Sequence, residues 1–351
     1  MVRRILTYKE HFLKFAQPAG TSRGVMKEHQ VLYIYLSNGL QIGVGEAAPL
    51  PGLSVDDVPL IKQHLAHVAQ MVMEGAQWRE MDLNHLPALK FAMEAASLDL
   101  EMGGKKRLYK NSFVEGGTGI PINGLVWMND TEAMLSESWL KVKDGYTTLK
   151  FKIGSLDFDQ ECRMLETFRK KFSEWEIQLR LDANGAFHPS EALEQLNELK
   201  RFHIHSIEQP IKQGQWEAMH ELCVKSPIDI ALDEELIGVK SDERKMLLNE
   251  IKPKYIILKP TLIGGLAAAN EWIKMAHELN IGWWATSALE SNIGLNAIAQ
   301  WVAGYHPSMP QGLGTGKLYT NNWASNLKID SGKLYIDQQK NWGEYVDQTE
   351  V

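Results

Sequence analysis

The stretch LKFKIGS, residues 149–155, sets two lysines in a segment that otherwise reads as a buried strand. Successive strand side chains point to opposite faces, so Lys150 and Lys152 share one face while Leu149, Phe151 and Ile153 share the other. Unpaired lysines are almost never buried. Either both stems run out to solvent, or the sheet carries anionic partners on its lysine face.

The rest of the chain favours anionic partners. From about residue 120, strand-like and helical segments alternate: INGLVWM (122–128), LKFKIG, IQLRLDAN (177–184), HSIEQPI (205–211), IDIALDEE (228–235), YIILKP (255–260) and GWWATSAL (282–289). PQGLGTG (310–316) reads as a weakly marked eighth strand or its loop. Short strands alternating with helices make a largely parallel α/β sheet, and this number of units favours a (β/α) barrel over an open sheet. Lys152, Asp182, Glu208, Asp233 and Lys259 fall near the ends of successive strands, at intervals of 30, 26, 25 and 26 residues. Each interval is one βα unit, and the C-terminal strand ends of a barrel converge on its functional face. The expected result is a ring in which two lysines flank three carboxylates.

Each residue alone has a plainer reading. A single Asp at a strand end suits a helix cap, Glu208 precedes a turn restrained by Pro210, and Asp233, Glu234 and Glu235 could form a solvated acidic edge. The repeated unit length favours a common site over these readings, because it places unlike charges at the same height on adjacent strands. Asp182, Glu208 and Asp233 then supply three hard oxygen ligands of the kind Mg²⁺ takes; without a cation they would repel and raise one another's pKa. Across such a site one neutral lysine can abstract a proton while an opposing ammonium stabilises or donates.

Arg180, one inward step below Asp182, and Asn184, just beyond it, are candidate substrate contacts, with a buried ion pair as the alternative for Arg180. In SALESNIG (287–294), Ser287 and Ser291 could receive a substrate carboxylate at a helix N-terminus or simply cap that helix. Other chemistries fit poorly. The histidines lack metal-ligand spacing, GLGTG lacks the setting of a dinucleotide fingerprint, and no Gly-x-Ser-x-Gly elbow occurs.

The first part of the chain reads as an α+β unit. Strands are expected near 2–8, 30–38 and 41–47, the last two joined by the hairpin signal Asn38-Gly39. Helices are expected over 55–76 and 88–102, and FAQPAGTSRGVMKEH (15–29) reads as a mobile loop. The start, MVRRILTYKEHFLKF, has neither the apolar core nor the cleavage site of a secretory signal and reads as a first strand. No run reaches the roughly 18 apolar residues of a membrane span, and a formal charge of −7 without a basic cluster argues against a nucleic-acid partner. Only two cysteines occur, Cys162 and Cys223, both in helical segments; they exclude a cysteine zinc cluster and fit a reducing cytoplasm.

These motifs resemble the enolase superfamily, and within its muconate lactonizing branch the o-succinylbenzoate synthase family. LKFKIG, RLDANGAF, SIEQP, IALDE and ILKP carry the resemblance, supported by GVGEAAPLPGLS (43–54), SALESNIG and QGLGTG. It implies a modified (β/α)7β TIM barrel over residues 116–351, an N-terminal capping domain over 1–115, and late segments returning to the cap. It implies Mg²⁺, with Mn²⁺ as a substitute, held by Asp182, Glu208 and Asp233. The implied base is Lys152, with Lys259 as the opposing cation and Lys150 supporting Lys152. Arg23, in an early loop near 17–29 that closes over substrate with the segment near 49–54, is a further expected contact. The implied substrate is a small carboxylate, 2-succinyl-6-hydroxy-2,4-cyclohexadiene-1-carboxylate, dehydrated to o-succinylbenzoate on the way to menaquinone. The runner-up activity is racemisation of an N-succinylamino acid or another N-acylamino acid. Dipeptide epimerases of the branch often carry an Asp-x-Asp pattern near the last strand, which PQGLGTGKLY lacks. No oligomeric number follows from these residues.

Overall fold

The computed structural model describes residues 4–21 and 24–343 of the chain. Its first layer is a three-stranded antiparallel sheet of β1 (Ile5–Thr21), β2 (Gly24–Ser37) and β3 (Ile42–Ala47), backed by helices α1 (Val58–Met73) and α2 (Pro87–Glu101). The β2–β3 turn falls at Asn38-Gly39, where Gly39 takes φ 85° and Asn38 accepts from the amides of Leu40 and Gln41. β3 lies directly on α2. A Cβ on Gly45 would come within 1.9 Å of the Ala92 carbonyl oxygen, and one on Gly43 within 2.0 Å of that of Ala96.

The segment expected to be a loop, 15–29, is mostly strand. β1 and β2 pair from Ile5↔Ser37 to Lys14↔Glu28, shift register, and resume from Ala19↔Met26 to Thr21↔Gly24. Late residues reinforce the ribbon: the Ala16 amide donates to Leu318 O and the Thr320 amide to Lys14 O. Small and polar composition reads as loop when these long-range partners are out of sight. Arg23 lies outside the described residues.

The second layer is a parallel sheet of seven strands: β5 (Gly124–Val126), β6 (Thr148–Lys152), β7 (Gln178–Asp182), β8 (Ile204–Glu208), β9 (Asp229–Leu232), β10 (Tyr255–Leu258) and β11 (Gly282–Ala285). It follows β4 (Ile120–Pro121). The connecting helices are α3 (Thr131–Lys143), α4 (Phe158–Lys171), α5 (Pro189–Leu199), α6 (Trp216–Lys225), α7 (Arg244–Ile251), then α8 (Pro260–Ile263) with α9 (Gly265–Glu278), and α10 (Asn292–Ala303) after β11. The weakly marked eighth strand closes the ring. Gln311 bridges in parallel to Ile122 beside β5, and Gly312 bridges to Thr286 beside β11. The pieces make a modified (β/α)7β TIM barrel. A final hairpin, β12 (Leu327–Asp330) and β13 (Lys333–Ile336), pairs with β4. Cys162 and Cys223 sit in α4 and α6 as free thiols.

Buried carboxylates join the two layers. Glu94 on α2 accepts from the amides of Leu266 and Ala267 at the start of α9. Glu46 on β3 accepts from the amides of Ser291 and Gly294, each at 2.8 Å, at the start of α10. Helix N-termini offer unsatisfied N–H groups and a positive dipole end, so each glutamate fastens one barrel helix to the cap. Burial pushes both carboxyls up to about 7, against the pull of these donors.

Two substitutions test the arrangement. Gly45→Ala should cost about 2–4 kcal/mol in a denaturant melt, because the new methyl meets helix backbone that cannot move aside. Glu94→Ala should cost about 1–2 kcal/mol by leaving the first turn of α9 without its acceptor. An unchanged midpoint in either variant would contradict the packing described.

Candidate functional site

Strand register builds the site. Lys150 pairs with Arg180 and Arg180 with Ser206 in one row; Lys152 pairs with Asp182 and Asp182 with Glu208 in the next. The opposite parity, Leu149, Phe151 and Ile153, is fully buried, with Phe151 edge-on to Phe168 of α4 at 5.5 Å. Those apolar contacts fix which face of β6 turns inward, and a one-residue slip would expel both lysines. Asp233 and Lys259 immediately follow β9 and β10.

The charges meet in pairs. Lys150 Nζ donates to Asp182 Oδ2 at 3.2 Å and to Glu208 Oε2 at 2.9 Å. Lys152 Nζ donates to the same Asp182 oxygen at 3.1 Å and to Asn184 Oδ1 at 2.7 Å. Lys259 pairs with Asp233. Lys150 does not reach solvent: it is 5% exposed, and Asp182, Glu208 and Asp233 are between 0 and 2%. Asp233, Glu234 and Glu235 are all buried too, so the solvated-edge reading fails. Glu235 is occupied holding the Gly214 amide and the Gln209 side chain.

Electrostatics follow from burial and charge together. Desolvation opposes the ammonium of Lys150, but Glu208, Asp182 and Asp233 outweigh it and raise its pKa above the ordinary lysine value. Desolvation likewise opposes the carboxylate of Asp182, yet Lys152, Lys150 and Lys259 hold it well below the usual range. Glu208 goes the other way. Burial pushes it up to about 7, Lys150 pulls down, and the charges of Asp182 and Asp233 push up again. These directions describe one shared proton balance among coupled groups.

Among the described residues, no three His, Cys, Asp or Glu side chains are gathered as a ready metal cluster. Lysine Nζ groups occupy carboxylate oxygens instead. The donor set nonetheless suits a hard divalent cation: Glu208 Oε1 is buried without a hydrogen-bond partner, beside two carboxylates whose charges oppose its ionisation.

Above the charges lies a cavity of about 270 Å³. Its floor includes Lys150, Lys152, Asp182, Asn184, Glu234 and Lys259; its walls include Leu125 and Trp127 from the barrel, Ser287 and Leu289 after β11, and Met26, Leu50 and Leu53 from the cap. Asn123, Leu125 and Trp127 all line it, a period-two signal in INGLVWM that sequence reasoning passed over. Glu234 was also passed over as a site residue; its Oε1 accepts from Asn184 Nδ2 at 2.9 Å and its Oε2 is buried without a partner.

Two expected substrate contacts, Arg180 and Ser291, do not line the cavity, and a third, Ser287, lines it with its hydroxyl engaged. Arg180 does not line the cavity: its guanidinium sits 3.9 Å over the Trp284 ring centroid and donates to Pro310 O at 2.8 Å, plugging the barrel one row below. Ser291 is also absent from the lining, its hydroxyl donating to Glu46 Oε2 at 2.6 Å and accepting from the Ile293 amide as the α10 cap. Ser287 lines the cavity, but its hydroxyl donates to Glu290 Oε2 at 2.6 Å. A neighbour on another segment takes the polar group of Arg180 and of Ser291, while Ser287 is held within its own segment.

Lys150→Met should leave Asp182 and Glu208 without their shared ammonium. Breaking a buried pair from one side costs about 3–5 kcal/mol, so the melting temperature should fall. Adding Mg²⁺ should recover more of it than Mg²⁺ adds to the unsubstituted protein. Equal Mg²⁺ shifts in the two melts would count against a cation site among these carboxylates.

Comparison with known proteins agrees with the fold and motifs. Residues 134–340 match the family model "Enolase C-terminal domain-like". The chain is 45% identical to the o-succinylbenzoate synthase of Desulfotalea psychrophila, over 94% of this chain and 98% of that protein. The crystal structure of MenC from Desulfotalea psychrophila LSv54 superposes with a TM-score of 0.88 at 41% identity, covering 95% of this chain and 100% of that one. The muconate lactonizing enzyme of Pseudomonas fluorescens, at 21% identity, shares the fold with a TM-score of 0.83 over 95% of this chain and 94% of its own. By family model, by near full-length identity and by fold, the chain belongs to the o-succinylbenzoate synthase family of the enolase superfamily.

Proposed function

We propose that this protein catalyses the Mg²⁺-dependent syn dehydration of 2-succinyl-6-hydroxy-2,4-cyclohexadiene-1-carboxylate to o-succinylbenzoate, a carbon–oxygen lyase step of menaquinone biosynthesis in the cytoplasm. The observation that carries this reading is the 45% identity over 94% of the chain to an o-succinylbenzoate synthase, joined to the Lys–Asp–Glu–Asp–Lys order at successive strand ends. No helix among the described residues is long and apolar enough to cross a membrane, which is compatible with a cytoplasmic setting.

In the proposed reaction Lys152 removes the proton on the carbon bearing the ring carboxylate. The electrons of the broken C–H bond move onto the carboxylate oxygens. The adjacent hydroxyl then leaves from the same face as water, taking its proton from the Lys152 ammonium, and the ring becomes aromatic. Asp182, Glu208 and Asp233 would hold Mg²⁺, which would supply positive charge beside the carboxylate of the substrate. Lys259 offers a second cation from the far side. β6 and β10 are separated by β7, β8 and β9 along one arc of the barrel and by β5, the 311–312 closure and β11 along the other, so the two lysines approach from opposite walls. Lys150 neutralises Asp182 and Glu208 from below. Asn184, bonded to both Lys152 and Glu234, orients the base. The cap residues at the mouth exclude water from the reacting carbon.

Opposed lysines also suit racemisation of an N-succinylamino acid, in which each lysine serves one face of the α-carbon. Parallel assays of purified protein with Mg²⁺ decide between the two: o-succinylbenzoate formation is expected, and racemisation without dehydration would overturn the leading reading. Lys152→Ala should abolish proton abstraction, seen as lost turnover and lost exchange of the α-proton with solvent, while Mg²⁺ still raises the melting temperature. An unfolded variant would instead mark Lys152 as structural.

A further inference from the structure

Among the described residues that line the cavity, Leu289 is the one besides Asn184 with a left-handed backbone that is not glycine, at φ 64°. A leucine there is strained and persists only where its surroundings over-determine it. Its carbonyl oxygen is held from two sides. Tyr319 Oη donates to it at 2.6 Å, and His29 Nδ1 stands 3.0 Å away. The other ring nitrogen of His29, Nε2, lies 3.1 Å from the carbonyl oxygen of Pro49. His29 belongs to β2 and is 1% exposed, and burial lowers its pKa, so the neutral ring has one N–H: it donates to one of the two carbonyls and packs against the other, with Nδ1 also 3.3 Å from Tyr319 Oη.

These three carbonyl contacts join the two rims of the cavity. Pro49 leads into Leu50, Pro51 and Leu53 on the cap rim, and Leu289 is the barrel rim. Leu50, Leu53 and Leu289 also pack into one apolar cluster with Met26 and Ala288. Apolar packing alone is non-directional and tolerates sliding; the His29 ring, fixed between two carbonyls, sets a separation. Nothing in the proposed chemistry uses His29 or Tyr319.

We propose that His29, with Tyr319, is a positioning residue that holds Leu289 in its strained turn and braces the Leu289 rim against the Pro49 rim, setting the mouth across which the substrate is gripped. The brace acts on binding more than on proton transfer, because neither side chain touches the lysines or carboxylates of the floor. It rests on the cavity being the site of the proposed reaction.

The test is steady-state dehydration kinetics with His29→Leu, His29→Gln and Tyr319→Phe, alongside hydrogen exchange of residues 286–291 without substrate. His29→Leu should raise KM about ten-fold, the worth of one buried hydrogen-bonded link, while kcat stays within about two-fold. Its 286–291 amides should exchange faster. His29→Gln keeps an amide donor and should recover most of both effects, and Tyr319→Phe should fall between. An unchanged KM in His29→Leu, or a fall in kcat that glutamine does not rescue, would overturn the proposal. Should the protein show no dehydration at all, the functional reading fails first, and the exchange rates still decide whether the brace exists. Should His29→Leu not fold, the glutamine and phenylalanine variants carry both readouts.

Discussion

Everything at the mouth of this barrel depends on putting a cluster of ionisable side chains into a nearly dry space on adjacent rows of the sheet. Isolated buried charges are untenable, so the parallel register must deliver each ammonium to a carboxylate within hydrogen-bonding distance. It does so because Lys152, Asp182 and Glu208 are direct neighbours across three strands, with Lys150 and Arg180 one row below. Lys150 serves both Asp182 and Glu208. The balance remains uneven, since Glu208 is pushed toward its protonated form by burial and keeps one oxygen unpaired. In the proposed reaction this is where a divalent cation would add its charge.

The cap is held by chemistry of the same sort, used structurally. Glu46 and Glu94 leave the cap and end at the N-termini of α10 and α9, where backbone N–H groups and the helix dipole receive them. Both helices follow strands that deliver site residues, so fixing the cap to them also fixes the height of the cavity roof. The hydroxyl of Ser291 is consumed in this attachment. Function and anchorage thus compete for the polar groups of SALESNIG: Ser291 goes to anchorage, while Ser287 keeps a place on the cavity wall with its hydroxyl already committed.

The floor and the walls divide the chemical task. In the proposed reaction the floor handles charge and protons, and it would serve any substrate whose acidic carbon lies beside a carboxylate. Discrimination falls to the walls, where Leu125, Trp127, Leu50, Leu53 and Leu289 present apolar surface suited to a six-membered ring. A hydrophobic wall separates close analogues by only about 1–3 kcal/mol per methylene, so a barrel with this floor can support more than one activity when its mouth changes shape.

The sequence by itself determined the floor. Strand parity in LKFKIGS and the near-constant spacing from Lys152 to Lys259 are local facts, and a barrel converts equal spacing into equal height. They identify which residues meet because each acts at the end of its own strand. The sequence did not determine the partners of groups whose contacts come from distant segments. Arg180 shares the parity of Asp182 but sits one row lower, where it stacks on Trp284, donates to Pro310 O and does not line the cavity. The loop-like composition of 15–29 became strand because β2 and residues 318–320 lie alongside it. Ser291 joined Glu46, 245 residues away in sequence. Only the tertiary structure settled these, because a hydrogen bond between remote segments leaves no periodic mark on either one.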